Sequence, residues 1–398
     1  MATAQQELAK RYFTGTHRTR APEQTWELAK ELFARCGISR VADVTGLDIL
    51  GIPTWVAVRP LASTLSVSQG KGATDTAAKV SAAMEAIELW YAETLPTFDD
   101  DAAPIATAAE LALPYAFDGL QRAARSLLTE RTPLAWLPAN IIGAAATTLV
   151  PRSCVAISSL ASPVWSPPLL RVSSNGLASG NCVEEAALHA LFELVERDST
   201  ADLLHRPVDD RDYIAPHSVD DPGCADLIAR IEAAGAWLEL VDNTRDPHFP
   251  CYVAYLWSPE DPSIYSGSGC HTDPAVALSR AITEAAQSRL TVINGTRDDV
   301  RGLLYRSHRW DTEQPGTPAA RVGDWEKAVD RIERVECDGM DEELTRCAQL
   351  VGERTGQPVL AIPLSASDEQ LAVVRVIAPG LRFGAGDECP RPIQPNRS

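Results

Sequence analysis

The chain has no Cys-x-x-Cys pair, and its nine cysteines are an odd number scattered over 398 residues. Both features argue against a disulfide framework and a zinc ribbon. Its seven histidines form neither His-Glu-x-x-His nor Glu-x-x-His, which argues against a di-iron carboxylate centre. No apolar run approaches the roughly 18 residues of a membrane span, and residues 1 to 20 are too charged for a signal peptide; a cytoplasmic protein without a membrane partner is expected. Positive charge is scarce. Lys and Arg number 36 against 54 Asp and Glu, a net charge of −18, so the phosphate backbone of nucleic acid is not an expected partner, and a basic peptide or a partner protein fits better. The Gly70-Lys71-Gly72 stretch lacks the spacing of a P-loop. With 45% hydrophobic residues, the chain can bury one large core or two fused ones.

What is present is a repeat. Gly70-Lys71-Gly72 leads into an Ala-rich helix carrying Glu85 and Glu88, and Ser179-Gly180-Asn181 leads into another carrying Glu193 and Glu196. In both, the first Glu follows the second-copy glycine, Gly72 or Gly180, by 13 residues, and the second Glu comes three later. Such a pair places both carboxylates on one helix face, here flanked by Met84, Ile87, Leu89, Leu191, Phe192 and Leu194. Four acids facing one cleft need a counter-charge when desolvated. Mg²⁺ takes oxygen ligands and keeps positions open for phosphate oxygens. Solvated helices also carry Glu-x-x-Glu pairs, but two copies at matched spacing on apolar helices favour the metal.

A third unit departs from the pattern. Gly267-Ser268-Gly269 precedes Asp273-Pro274, a helix start, followed by Glu284, Gln287 and Arg289. Glu284 lies 15 residues after Gly269 rather than 13, and its partner three on is Gln287. Arg289 here and Arg197 beside Glu196 add guanidinium groups, which grip phosphate through two donors. Acid for metal and Arg for phosphate together point to a nucleotide polyphosphate.

The segments Ser68–Gly72, Met84–Glu88, Ser174–Asn181, Glu193–Asp198 and Thr283–Arg289 resemble the signature blocks of the YcaO family, from about residue 10 to about residue 300. Gly15-Thr16-His17-Arg18, with Gly46-Leu47-Asp48 and Gly51-Ile52-Pro53, looks like the stand-alone branch associated with TfuA proteins. The resemblance implies ATP- and Mg²⁺-dependent activation of a peptide backbone amide: a nucleophile adds to the carbonyl carbon, the oxyanion takes the γ-phosphoryl group, and phosphate leaves. It also implies a mixed α/β (α+β) fold, twisted sheets flanked by helices with an ATP cleft between three loop-helix units.

Carried over by motif position, Glu85, Glu88, Glu193, Glu196 and Asn181 would form the metal shell. Nucleotide contacts would come from Lys10, Thr16, Lys71, Glu85, Asn181, Arg197, Glu284, Gln287 and Arg289, and the chemistry would fall to Arg197, Glu196 and Arg289. From the residues alone, Lys71 is a phosphate contact or a solvated loop cation. Cys182 and Cys270 read as small buried hydrophobes.

The expected substrate is a precursor peptide or protein, with a thioamide formed from sulfide in company with a TfuA-like or leader-peptide-binding partner. A homodimer is left open. An azoline-forming cyclodehydratase acting on Cys, Ser or Thr is the alternative, and a non-catalytic nucleotide-binding scaffold a further one. No segment before residue 60 has the length of a winged-helix module, so peptide recognition is assigned to a separate protein.

Residues 1–310 are expected to form the catalytic core, 311–323 a polar linker or loop, and 324–398 a C-terminal α/β part of the same domain. Strands are expected at Pro53–Arg59, Trp237–Val241, Cys251–Trp257, Val359–Pro363 and Leu371–Ile377, helices at Asp324–Arg334 and Asp341–Arg354, and an insertion or connecting helices over the core at 100–130. The end, Cys389–Pro395, is extended by its prolines and resembles the Pro-x-Pro-x-Pro tail of azoline-forming members, with Pro-x-Pro-x-x-Pro spacing instead.

Overall fold

A computed structural model describes residues 8–98, 103–157, 167–201, 203, 206–297 and 313–383. An N-terminal hairpin, β1 (Arg11–Phe13) and β2 (Thr16–Arg18), precedes helix α1 (Pro22–Cys36). Strands β3 (Arg40–Asp43), β4 (Thr54–Val58) and β5 (Val67–Lys71) form an antiparallel sheet in that order, and helix α2 (Asp75–Thr94) follows its edge strand β5.

A second sheet begins with β6 (Ile105–Thr107), β7 (Pro133–Ile141), β8 (Thr147–Pro151) and β9 (Leu177–Gly180), and helix α3 (Val183–Thr200) follows β9. A third contains β10 (Asp212–Ile214), β11 (Trp237–Asp242), β12 (Cys251–Ser258), β13 (Asp261–Cys270) and β14 (Val322–Gly323), with helix α4 (Pro222–Ala233) between β10 and β11 and helix α5 (Pro274–Asn294) after the edge strand β13. Helices α6 (Trp325–Asp330) and α7 (Met340–Thr355) lead to β15 (Leu360–Pro363) and β16 (Ala372–Ile377). These last two insert into the second sheet, whose order is β6-β7-β15-β16-β9. The fold is thus mixed α/β, with helices against twisted sheets.

Three strand-to-helix units stand out, each at a sheet edge: β5 with α2, β9 with α3, β13 with α5. Each helix lies over its own apolar core, containing Ala82, Ile87 and Trp136 under α2, Leu191, Leu194 and Val374 under α3, and Ala281, Ile282 and Leu240 under α5. The glycines explain the close approach. A Cβ on Gly70 would meet the Ala82 amide nitrogen at 2.0 Å and the Ala78 carbonyl at 2.2 Å; on Gly269 it would meet the Ala277 carbonyl at 2.1 Å and the Ala281 nitrogen at 2.7 Å. Only glycine lets the helix backbone sit this close to the strand. These residues are strand ends, not phosphate-cradling loops.

The sequence expectation for 100–130 is corrected. Over the described residues 103–130 no α-helix forms; a short strand and two 3₁₀ turns, Ala108–Glu110 and Phe117–Gly119, pack by Trp136 instead. Pro104 and Pro114 interrupt the Ala-rich run and disfavour helix at the residue before each. The helix expected over 324–334 is shortened to α6. Within 313–323, Thr317 donates to Glu239 (2.7 Å) and β14 pairs in parallel with β10, so this stretch packs on the third sheet. The Cys389–Pro395 tail lies outside the described residues. Among these, no helix is long and apolar enough to cross a membrane.

Candidate active site

The three units meet around a cavity of about 1020 Å³ lined by Glu85, Glu88, Glu193, Glu196, Glu284 and Gln287. Their register explains the apparent irregularity of the third unit. Gly70 and Gly269 contact the residues 8 and 12 positions further on, so Gly269 is the counterpart of Gly70, not of Gly72. Glu85 and Glu284 are then both 15 residues on, and Glu88 and Gln287 both 18. Ala178 takes the corresponding place in the second unit, 15 and 18 residues before Glu193 and Glu196. The side chains four residues before the first acid are Ser81, His189 and Arg280, and all three line the cavity, as helical spacing of i, i+4, i+7 requires.

One acid on each helix is held by the strand of a neighbouring unit. Ser179 of β9 donates its amide (2.8 Å) and hydroxyl (2.5 Å) to Glu88 of α2. Ser268 of β13 donates its hydroxyl to Glu196 of α3 (2.7 Å). Lys71 of β5 pairs with Glu284 of α5. The holding therefore runs in a ring, first helix to second strand, second helix to third strand, third helix to first strand. Glu193 receives the Gly176 amide (3.1 Å) on one oxygen and lies 3.6 Å from Arg197 with the other; Arg197 also sits 3.3 Å from Glu196. Glu85 receives the Gln69 amide (3.2 Å).

The electrostatics follow. Burial, reinforced by the Glu85 and Glu193 charges, pushes the Glu88 carboxyl up to about 8 despite the Ser179 hydrogen bonds. Burial also raises Glu193, against the pull of Arg197. For Glu284, burial is outweighed by Lys71 and Arg197, and the group is lowered. Burial and the charges of Arg280 and Arg18 hold His189 neutral, well below its ordinary range.

The cavity gathers Thr16, Lys71, Glu85, Glu88, Asn181, Glu193, Glu196, Arg197, Glu284 and Gln287 from the residues expected in sequence. Lys71 is a partner of Glu284 rather than a free phosphate contact or solvated cation. Asn181 has both ends of its amide engaged: its oxygen accepts from Thr25 (2.7 Å) and its nitrogen donates to Glu185 (3.0 Å).

Two expected residues lie elsewhere. The Arg289 side chain, 3% exposed, is clasped by Asp48 (3.0 Å) and the Ser258 hydroxyl (3.0 Å), away from the cavity. Lys10 pairs with buried Glu343 (3.1 Å) and does not line the cavity. The guanidinium groups that sequence reasoning passed over are Arg18, Arg20, Arg280 and Arg297, with Glu185, which anchors Thr19 by two hydrogen bonds and lies 3.6 Å from Arg18. The four-residue step back from Glu284 is the signal that marks Arg280. Cys270 is buried, as expected, whereas Cys182 caps α3 by accepting from the Glu185 amide.

The described lining holds six carboxylates and six cationic side chains. A cation alone or a polyphosphate alone would unbalance this set; the two together largely cancel. The acids supply only oxygen, which suits Mg²⁺. Among the described residues no three acidic, His or Cys side chains form a ready-made cage; separate donors hold each carboxylate. Mg²⁺ commonly takes one or two carboxylates and completes its shell with phosphate and water, which fits this arrangement.

The family model described as YcaO cyclodehydratase, ATP- and Mg²⁺-binding, matches residues 69–382. An uncharacterized protein of Mycobacterium tuberculosis is 38% identical over 390 residues, covering 96% of this chain and 86% of its own. An uncharacterized protein from the tfuA 3′ region of Rhizobium leguminosarum bv. trifolii is 34% identical over 375 residues, covering 90% and 87%. Among solved structures, YcaO from Methanopyrus kandleri bound with AMPPCP and Mg²⁺ superposes with a TM-score of 0.67 at 22% identity over 96% of this chain and 100% of its own. A heterocyclase in complex with substrate and cofactor gives 0.72 at 21% identity over 95% of this chain, which spans 55% of that protein's length. These two likenesses establish the fold. The family match over most of the chain, with three carboxylate-bearing units around one cavity, identifies this protein as a member of the ATP- and Mg²⁺-binding YcaO family.

Proposed function

We propose that this protein activates peptide backbone amides at the expense of ATP and Mg²⁺, and that its product is a thioamide formed from sulfide with the help of a TfuA-like partner. The observation that carries the proposal is the convergence of Glu85, Glu88, Glu193, Glu196 and Glu284 with Arg197 and Arg280 on one cavity. Relatedness to a protein from a tfuA 3′ region supports the choice of partner and of sulfide.

Glu85, Glu88, Glu193 and Glu196 are the residues that would hold Mg²⁺, with the second lone pair of the Asn181 oxygen as a neutral addition. When bound, Mg²⁺ supplies positive charge against the triphosphate. Arg197, fixed between Glu193 and Glu196, and Arg280, opposite neutral His189, present guanidinium groups suited to phosphate. Glu284, neutralised by Lys71, orders the third helix without adding free negative charge. No cysteine is among the described lining residues, so the nucleophile is external and the side chains position and stabilise rather than attack. ATP is a substrate in this scheme: the peptide oxygen leaves with the transferred phosphoryl group, and sulfur takes its place.

The test is to incubate the protein with candidate peptide, TfuA-like partner, ATP, Mg²⁺ and sulfide and to read the peptide mass. Oxygen-to-sulfur exchange that requires sulfide is expected. Loss of water from a Cys-, Ser- or Thr-containing peptide without sulfide would replace the thioamide by an azoline, and ATP bound without any peptide change under all conditions would mark a scaffold.

A further inference from the structure

Arg375 of β16 is 2% exposed, and among the described residues its hydrogen-bond partners are all backbone carbonyls. These are Asn175 at 2.9 Å, Ser173 at 2.7 Å and Val155 at 3.3 Å. A buried guanidinium keeps its charge and is costly to bury without an anion, so it needs a reason beyond packing. Burial lowers the guanidinium to about 10, while Cys154 and Glu193 favour its ionised form.

The connection is a single peptide unit. The Asn175 carbonyl that accepts from Arg375 belongs to the same peptide group as the Gly176 N–H that donates to Glu193 Oε2 at 3.1 Å. A positive charge on the carbonyl end polarises that group and strengthens its N–H as a donor. The peptide's orientation is fixed from both sides. Gly176 has φ +78°, and a Cβ there would meet the Val376 carbonyl at 2.4 Å; the Gly176 carbonyl in turn accepts from the Val376 amide at 2.7 Å. Val376 directly follows Arg375, so one strand grips the turn at two adjacent points.

We infer that Arg375 is a positioning residue for metal binding, which acts through the Asn175–Gly176 peptide to fix the Glu193 carboxylate in the cavity. The inference rests on the assignment of Glu193 as a metal-holding residue in the proposed function. It gives Arg375 a role that no contact with nucleotide or peptide requires, and it makes β16, near the end of the described chain, part of the apparatus behind the second unit.

The experiment is Mn²⁺ binding followed by electron paramagnetic resonance, on wild type, Arg375→Lys, Glu193→Gln and the double variant, with thermal melting alongside. An ammonium cannot span three carbonyls, so Arg375→Lys is expected to weaken Mn²⁺ binding by about 10-fold or more, the range for residues that orient metal ligands, and to raise the Mg²⁺ requirement of ATP turnover more than it lowers the rate at saturating Mg²⁺. In the Glu193→Gln background the same change should add little. Unchanged Mn²⁺ affinity in Arg375→Lys, or an equal loss in both backgrounds, overturns the inference. Failure of wild type to bind Mn²⁺ would instead remove the metal assignment itself. Wild-type hydrogen exchange reads the same link without any variant: the 173–177 stretch should be protected, and free exchange of the Gly176 amide would also overturn it.

Discussion

Ser179 gives both its amide and its hydroxyl to one oxygen of Glu88, at 2.8 and 2.5 Å, across the boundary between the second and first units. Even so, Glu88 remains protonated in the folded chain up to about pH 8, because burial and two neighbouring carboxylates outweigh those bonds. The same carboxyl in an unfolded chain ionises near 4.3.

Between those two values the folded state holds more protons than the unfolded one, so stability falls as pH rises through the window. In metal-free buffer the thermal midpoint is expected to decline from about pH 5 to about pH 8, and Glu88→Gln should flatten the decline. A midpoint that climbs over this range in the wild type, with the variant parallel to it, would contradict the protonated Glu88.

Glu85→Ala, Glu193→Ala and Glu196→Ala are each expected to reduce ATP turnover by about 100-fold or more, the scale of losing one preorganised electrostatic group, while circular dichroism stays native. The comparison belongs at saturating ATP and limiting Mg²⁺, where a metal defect shows most. Full turnover in all three would dismiss these acids from the site.

The two arginines should separate cleanly. Arg197→Lys loses the two-pronged contact and should consume ATP far more slowly with little change in melting. Arg289→Ala should do the reverse, because its guanidinium is committed to buried Asp48; removing one partner of such a pair costs about 3–5 kcal/mol, visible as a lower urea midpoint, with the KM for ATP retained.

Gly70→Ala and Gly269→Ala force a methyl group into helix backbone at 2.0 and 2.1 Å. Each should destabilise by at least the upper end of the about 1–3 kcal/mol typical of overpacking. Gly46→Ala, where nothing lies within 4 Å, is the control, and equal unfolding midpoints for all three would refute the packing account.

Much of this site was legible in sequence, because Glu-x-x-Glu on an apolar helix has one stable way to face a cleft. Asp273-Pro274 marked the start of α5, and Trp237–Val241, Cys251–Trp257 and Leu371–Ile377 alternate or run apolar as strands do. Arg289 misled for a geometric reason. Five residues past Glu284 is a rotation of roughly 140° around the helix, which turns it to Asp48, while Arg280, one turn back, shares the cavity face. The third unit seemed out of step because spacing was counted from a different glycine; only the contacts of Gly70 and Gly269 with their helices set the frame. Lys10 and Arg375 could not be assigned from neighbours in sequence, since their partners are 333 residues away for Lys10 and 200 for Arg375 at Asn175.

The ring of holding contacts has a bearing on how the protein comes to be made. Lys71 emerges from the ribosome long before Glu284, and Glu196 before Ser268, while β9, which carries Ser179, has its sheet neighbour β16 only when residue 377 has been synthesised. A nascent chain that stops short of this strand contains Lys71, Ser179 and Ser268 with the acids they hold, but leaves β9 without its sheet neighbour. The edge that positions Ser179 is therefore closed only after Glu88, Glu196 and Glu284 have all been made.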